Sequence, residues 1–193
     1  GYTNAGKSSL LNTLTGADAL VENKLFATLD PTTRKLVLPN KSELLLTDTV
    51  GFVRKLPHSL VEAFKSTLEE AVLADFLVMV LYISSPDVES HWQTTLSVLT
   101  ELGAQDKPML TVFNKCDCQK DALFRTHLRS LDPNGVFISC RTGEGLDELR
   151  QTLVAYTKKR TLIDDLLIPP EHPEIVAAVY SRASLLEGKY QDD

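Results

Sequence analysis

The eight residues Gly1-Tyr2-Thr3-Asn4-Ala5-Gly6-Lys7-Ser8 constrain this chain more than any other stretch. Their spacing, G-x-x-x-x-G-K-S, describes a loop that turns successive backbone N–H groups inward and feeds them into the start of a helix. Such a nest holds phosphate oxygens. Gly1 and Gly6 permit the backbone angles and the close approach, with Tyr2, Thr3, Asn4 and Ala5 between them as the cradle. Lys7 can reach β- and γ-phosphates, and the Ser8 hydroxyl can bind Mg²⁺. A loop of this kind joins a buried strand to a helix, so it commits the chain to an α/β fold. That strand is central to the sheet, and here Gly1 opens the chain, so the first strand is expected to be truncated and the parent protein to continue upstream. Two strand edges would then lack a partner, which predicts an aggregation-prone chain or one unable to hold the loop in shape.

The remaining pattern agrees with α/β. Residues 35–39 (KLVLP) and 42–48 (SELLLTD) flank Asn40-Lys41 and read as a hairpin. The apolar runs 76–83, 108–114 and 135–139 are bounded by turns, as in a sheet covered on both faces. Helices are expected over 8–15, 59–74, 88–102, 144–158 and near 173–187. In 59–74, Ser59 and Glu62 form a capping box, and Leu60, Phe64, Leu68, Ala71 and Val72 share a face. Val88, Trp92, Leu96, Leu99 and Leu102 make one apolar stripe, Leu146, Leu149 and Leu153 another, and both read as core. This strand–helix alternation predicts a doubly wound domain of three α/β/α layers, mostly parallel with one antiparallel strand. It should span residues 1–160, with 161–193 a partial C-terminal extension after Pro169-Pro170 and Pro173.

Three further segments carry chemistry. In LLLTDTVG (44–51), Asp48 ends an apolar strand where it can hold Mg²⁺ through water. Thr49 and Val50 lead to Gly51, whose N–H can meet a γ-phosphate where no side chain would fit. In FNKCD (113–117), the Asp117 carboxylate can accept from guanine N1–H and the exocyclic amine, whereas adenine N1 would face it acceptor to acceptor. Asn114 can bond the other edge of the base, Lys115 can lay its stem along a ring face, and Cys116 lies between them and Asp117. In SCRTGEG (139–145), a backbone N–H of the Ser139-Cys140-Arg141 turn, that of Cys140 foremost, can bond guanine O6. All follow strands or open helices, on the side where open α/β sheets bind ligands.

Composition narrows the rest. A net charge of −6 argues against a broad basic surface for DNA, and no apolar stretch is long enough to span a bilayer. The three cysteines, Cys116, Cys118 and Cys140, fit a reducing cytoplasm and lack the spacing of a zinc site.

In their order, phosphate loop, Mg²⁺ acid, base reader and second base reader, these motifs resemble the TRAFAC-class GTPases. The longer stretches GYTNAGKSSLLNTLTG (1–16), LFATLDPTTRKL (25–36) and DTVGFVRKLPHSLVEAFKSTLEE (48–70) resemble the HflX family. That resemblance implies an N-terminal domain ahead of this one, GTP hydrolysis to GDP with Mg²⁺, and association with the large ribosomal subunit in splitting or rescuing stalled ribosomes. It implies that Phe26, Ala27, Thr28, Leu29 and Asp30 form the first switch, with Thr28 completing the Mg²⁺ shell beside Ser8; Thr32 and Thr33 are rivals for that role. DTVGF opens the second switch. Lys7, Thr28 and Gly51 would be the catalytic groups, ordered around the γ-phosphate and relaxed after hydrolysis.

Phe52 stands where many such enzymes place a Gln that orients the attacking water. Unaided hydrolysis is therefore expected to be slow. Asn4, in the pattern G-x-x-N-x-G-K-S, is similar to the Asn that helps hold K⁺ in potassium-activated GTPases; the alternative is that it braces its own loop. A binding module with negligible turnover, a GTPase of tRNA modification or ribosome assembly, and an ATPase are the competing readings. Cys116 and Cys140 would flank the guanine, where thiol modification could block binding; the alternative is that both are small, semi-buried packing residues.

Overall fold

The computed structural model describes residues 1–16, 32–49, 51, 71–158, 166–169 and 171–182. Helix α1 (Lys7–Thr15) follows the loop directly and ends at Gly16, whose φ of 66° reverses the chain and whose N–H caps the Asn12 carbonyl. Strands β1 (Thr32–Val37) and β2 (Glu43–Asp48) pair antiparallel, Thr32 opposite Asp48 and Val37 opposite Glu43. The hairpin is as expected, but β1 begins three residues earlier. The extra turns of ladder are supported by the Thr33 and Thr47 hydroxyls, 2.8 Å apart across the pair.

Strands β3 (Leu77–Tyr82), β4 (Met109–Asn114) and β5 (Val136–Phe137) are parallel, with Tyr82 opposite Asn114 and Val112 opposite Val136. Parallel neighbours need crossovers, and α2 (Val88–Glu101) and α3 (Ala122–Leu131) supply them. Helix α4 (Leu146–Lys158) follows β5. The strand period of two divides the core. Val80, Leu110, Val112 and Val136 face one way and pack with Leu10, Leu14, Leu149 and Leu153 of α1 and α4. Met79, Leu81, Phe113 and Phe137 face the other way and pack with Val88 and Leu128 of α2 and α3. These are the two helical layers that the sequence predicts. Leu36 and Leu38 join the first cluster, so the hairpin shares that layer.

The α/β fold with parallel strands and one antiparallel pairing is as expected; among the described residues β1–β2 and β3–β5 are two ladders. The phosphate loop sits between them. A Cβ on Gly1 would press into the Val80 carbonyl of β3, and one on Gly51, just past β2, would lie 2.7 Å from Thr3 Cα. The loop nonetheless keeps its turn, with Ala5 buried in the first cluster.

Helix α3 was not expected. Of the helix expected over 59–74, residues 71–73 are described and helical; Ala71 is buried and Val72 exposed. The chain divides into the units Gly1–Lys159 and Arg160–Asp193. In the second, helix α5 (Pro173–Arg182) leaves Val176 and Val179 half-buried and Ile175 exposed.

Candidate nucleotide-binding site

The site is assembled from the ends of strands and the start of one helix. Gly6 adopts φ 94° and Asn4 φ 60°, the two left-handed residues that bend the loop into the N-terminus of α1. Gly tolerates that region and Asn is the commonest side-chain-bearing residue there. Asn4 sits exposed at the bend. Lys7 folds back over the loop and donates from Nζ to the Tyr2 carbonyl at 3.0 Å. Burial pulls its pKa down from the ordinary lysine value, and the Asp48 carboxylate partly opposes that. A bound polyphosphate would restore the charge that burial disfavours. The Tyr2 ring stacks on His91 of α2, with centroids 3.8 Å apart.

Ser8 Oγ donates to Asp48 Oδ2 at 2.5 Å, and Asp48 is buried at the tip of β2. A hydroxyl and a carboxylate brought together beside Lys7 form the hard oxygen pair that suits Mg²⁺. A Cβ on Gly51 would lie 2.6 Å from Lys7 Nζ, so only glycine lets the chain after β2 approach the loop. Thr49 is half-buried beside it. Phe26, Ala27, Thr28, Leu29, Asp30, Val50 and Phe52 lie outside the described residues. The rival Thr32 and Thr33 belong to strand β1, where Thr33 is paired with Thr47.

A cleft of about 450 Å³ runs from the loop to the two base-reading segments. Asn114 ends β4 and is 1 % exposed. Its Nδ2 donates to the Ala5 carbonyl at 2.9 Å, and its Oδ1 accepts from the N–H of Lys115 at 2.8 Å and of Cys140 at 3.4 Å. Asn114 thus ties the phosphate loop to both base loops, and the second hydrogen of its Nδ2 leaves a donor for the base edge it is expected to bond. The Cys140 N–H, expected to meet guanine O6, makes only a long bond to that amide. Lys115 takes φ 63°, and its Nζ rests 4.4 Å from the Tyr82 ring centroid, which aligns its stem along the cleft.

Asp117 lies on a 3₁₀ turn, Cys116–Cys118. The Ser139 hydroxyl, and after it the Arg141 guanidinium, hold its carboxyl below the usual carboxylate range. Arg141 Nη2 approaches Asp117 Oδ2 to 2.5 Å while the rest of its side chain stays largely in solvent. Cys116 and Cys140 sit as the packing alternative has them. Cys116 is fully buried and its thiol is pushed up to about 11, mainly by burial, so it is not an accessible nucleophile. Burial raises Cys140 as well. Cys118, not weighed for this, is the exposed thiol and lines the cleft. Ser9, Asn12 and Thr13 also line it and were missed. Their i, i+3, i+4 spacing marks the polar face of α1, legible once that helix is drawn.

The profile of the 50S ribosome-binding GTPase family matches residues 1–115. Over its whole length the chain is 47 % identical to GTPase HflX of Akkermansia muciniphila and 46 % identical to GTPase HflX of Caldanaerobacter subterraneus subsp. tengcongensis, covering 45 % and 44 % of them. The chain thus spans less than half the length of these relatives. Among solved structures, a GTP-binding protein of Sulfolobus solfataricus in complex with GDP superposes with a TM-score of 0.66 at 28 % identity, over 83 % of this chain and 51 % of that one. Era in complex with MgGDPNP and a 16S ribosomal RNA segment superposes with a TM-score of 0.61 at 27 % identity, over 89 % and 57 %.

Proposed function

The chain belongs to the 50S ribosome-binding GTPases, with HflX as its matching relatives, and on that premise we propose that it is the nucleotide domain of a GTP-hydrolysing switch working on the large ribosomal subunit. The observation that carries the reading is the cleft that Gly6 of the phosphate loop lines together with Asp117, with Asn114 bonded to both the phosphate loop and the base-reading loop.

Guanine entering the cleft takes the Asp117 oxygens, displacing Arg141 from Oδ2, while the Ser139 hydroxyl keeps the carboxyl ionised and oriented. The phosphates lie over the N-terminus of α1, where the loop amides and the helix dipole favour anions. Lys7 leaves the Tyr2 carbonyl for the β- and γ-oxygens, and the Gly51 N–H meets the γ-phosphate. Ser8 directly, Asp48 through water and Thr28 from the first switch would hold Mg²⁺, which when bound supplies charge neutralisation between the phosphates. GTP then favours the ribosome-bound state because both switches order around its γ-phosphate. Ribosome splitting or rescue, in the cytoplasm, is the output this reading assigns. Phe52 cannot hydrogen-bond water, so the group that aligns the nucleophile comes from the partner, with K⁺ at the exposed Asn4 as a second aid.

Steady-state phosphate release from GTP tests this, with the full-length parent protein, with and without large ribosomal subunits, in potassium and in sodium. The expected result is slow turnover alone and stimulation of about tenfold or more by the subunits, a size typical of completing a phosphoryl-transfer site. Turnover unchanged by subunits would assign another partner. Equal rates in potassium and sodium would remove K⁺ from the scheme.

A further inference from the structure

Arg125 belongs to none of the nucleotide motifs, yet its guanidinium is bonded to both base-reading loops. It projects from the first turn of α3, which Asp121 fixes by accepting from the N–H groups of Leu123 and Phe124 at 2.9 and 3.5 Å. Its Nη2 donates to the Cys116 carbonyl at 2.7 Å and its Nε to the Gln119 carbonyl at 3.1 Å. Those carbonyls bracket the 3₁₀ turn that carries Asp117. Its Nη1 reaches Glu144 Oε1 of the second base loop at 3.4 Å. Glu144 in turn receives the Cys116 thiol, and its carbonyl accepts the Ser139 N–H at 2.9 Å.

We propose that Arg125 is a positioning residue for guanine selectivity: it sets the direction of the Asp117 carboxylate by clamping the turn on either side of it and the neighbouring loop. The fork geometry is the physical reason. Three donors in one rigid plane reach two carbonyls and a carboxylate at once, which a lysine ammonium on a flexible stem cannot reproduce. The ion pair with Glu144 is half-exposed and contributes little by itself. The two carbonyl bonds are what fix the turn. Arg125 is not among the residues that line the cleft, so its effect passes through Asp117.

The inference rests on the guanine reading above, and the test separates the two. GDP and inosine diphosphate differ only in the 2-amino group that Asp117 receives. Their affinities are to be measured for the parent protein, Arg125→Met and Arg125→Lys. The parent should prefer GDP by about tenfold or more, the worth of one hydrogen bond to a charged group. In Arg125→Met the preference should fall to about twofold or less, with inosine diphosphate losing less affinity than GDP because it forfeits only the N1–H bond. Arg125→Lys should lie nearer Met than the parent, and carries the comparison if Met does not fold. A general loss of stability would weaken both ligands in proportion and leave the ratio intact. A parental ratio retained in the variants overturns the role of Arg125 alone. A parent without preference overturns the guanine reading and this inference with it.

Discussion

Asp117→Ala is expected to lower GDP affinity by about 100-fold or more while leaving ADP binding unchanged. The carboxylate sits at the base end of the cleft, held ionised by the Ser139 hydroxyl and the Arg141 guanidinium. Two hydrogen bonds from guanine to a charged acceptor are worth on the order of 1.5–3 kcal/mol each, and tenfold in affinity is about 1.4 kcal/mol. Part of that is offset because guanine must displace Arg141 from Oδ2. ADP gains nothing from Asp117, since its N1 would face the carboxylate as a second acceptor. The sign with pH follows from the depressed pKa. The reader remains charged from neutrality down past the ordinary carboxylate value, so GDP affinity should not fall through this group between roughly pH 5 and 8. Competition titrations with GDP and ADP on the parent and the variant measure all of this.

Gly6→Ala is expected to abolish nucleotide binding at ordinary concentrations and to destabilise the domain by about 2–3 kcal/mol, lowering Tm by roughly 5–10 °C. Two costs combine. The left-handed φ of 94° penalises any Cβ by about 1–2 kcal/mol. The new methyl would also drive into the Asn114 side-chain amide, which is buried and bonded to Ala5, Lys115 and Cys140. Moving that amide unties the phosphate loop from both base loops, so stability and binding fail together. Gly103→Ala separates the two costs. Gly103 has φ 70° with nothing within 4 Å of a new Cβ, so it should show the backbone penalty alone and bind GDP normally. Calorimetric unfolding with a GDP titration on both variants provides the check.

The sequence exposes the fold where periodicity is strong. The alternation in β3 and β4 assigns Val80 and Met79 to opposite layers, and the leucines of α4 are buried where their spacing puts them. Helix α3 was missed although its apolar Phe124, Leu128 and Leu131 recur at i, i+4, i+7. Only Leu128 is fully buried on it, with Phe124 and Leu131 partly so, and its polar face is long. Its Asp121 cap was nonetheless a readable start signal. Missing that helix concealed Arg125, because the guanidinium earns its place only through contacts across several turns of chain. The site shows the same division. Lys7 and Ser8 are legible because their motif opens a helix, Asp48 and Asp117 because theirs follow strand ends. The brace role of Asn114 is not, since only packing shows which backbone groups its amide reaches. The inertness of Cys116 is likewise a matter of burial that residue type does not reveal.

The central claim is that this cleft selects guanine nucleotides. The most direct measurement is displacement of fluorescently labelled GDP from the parent protein by unlabelled GTP and by ATP. The account predicts that GTP displaces the label at a concentration about 100-fold or more below that of ATP. Displacement by both at similar concentrations would show that Asp117 does not read the base, and would contradict the account.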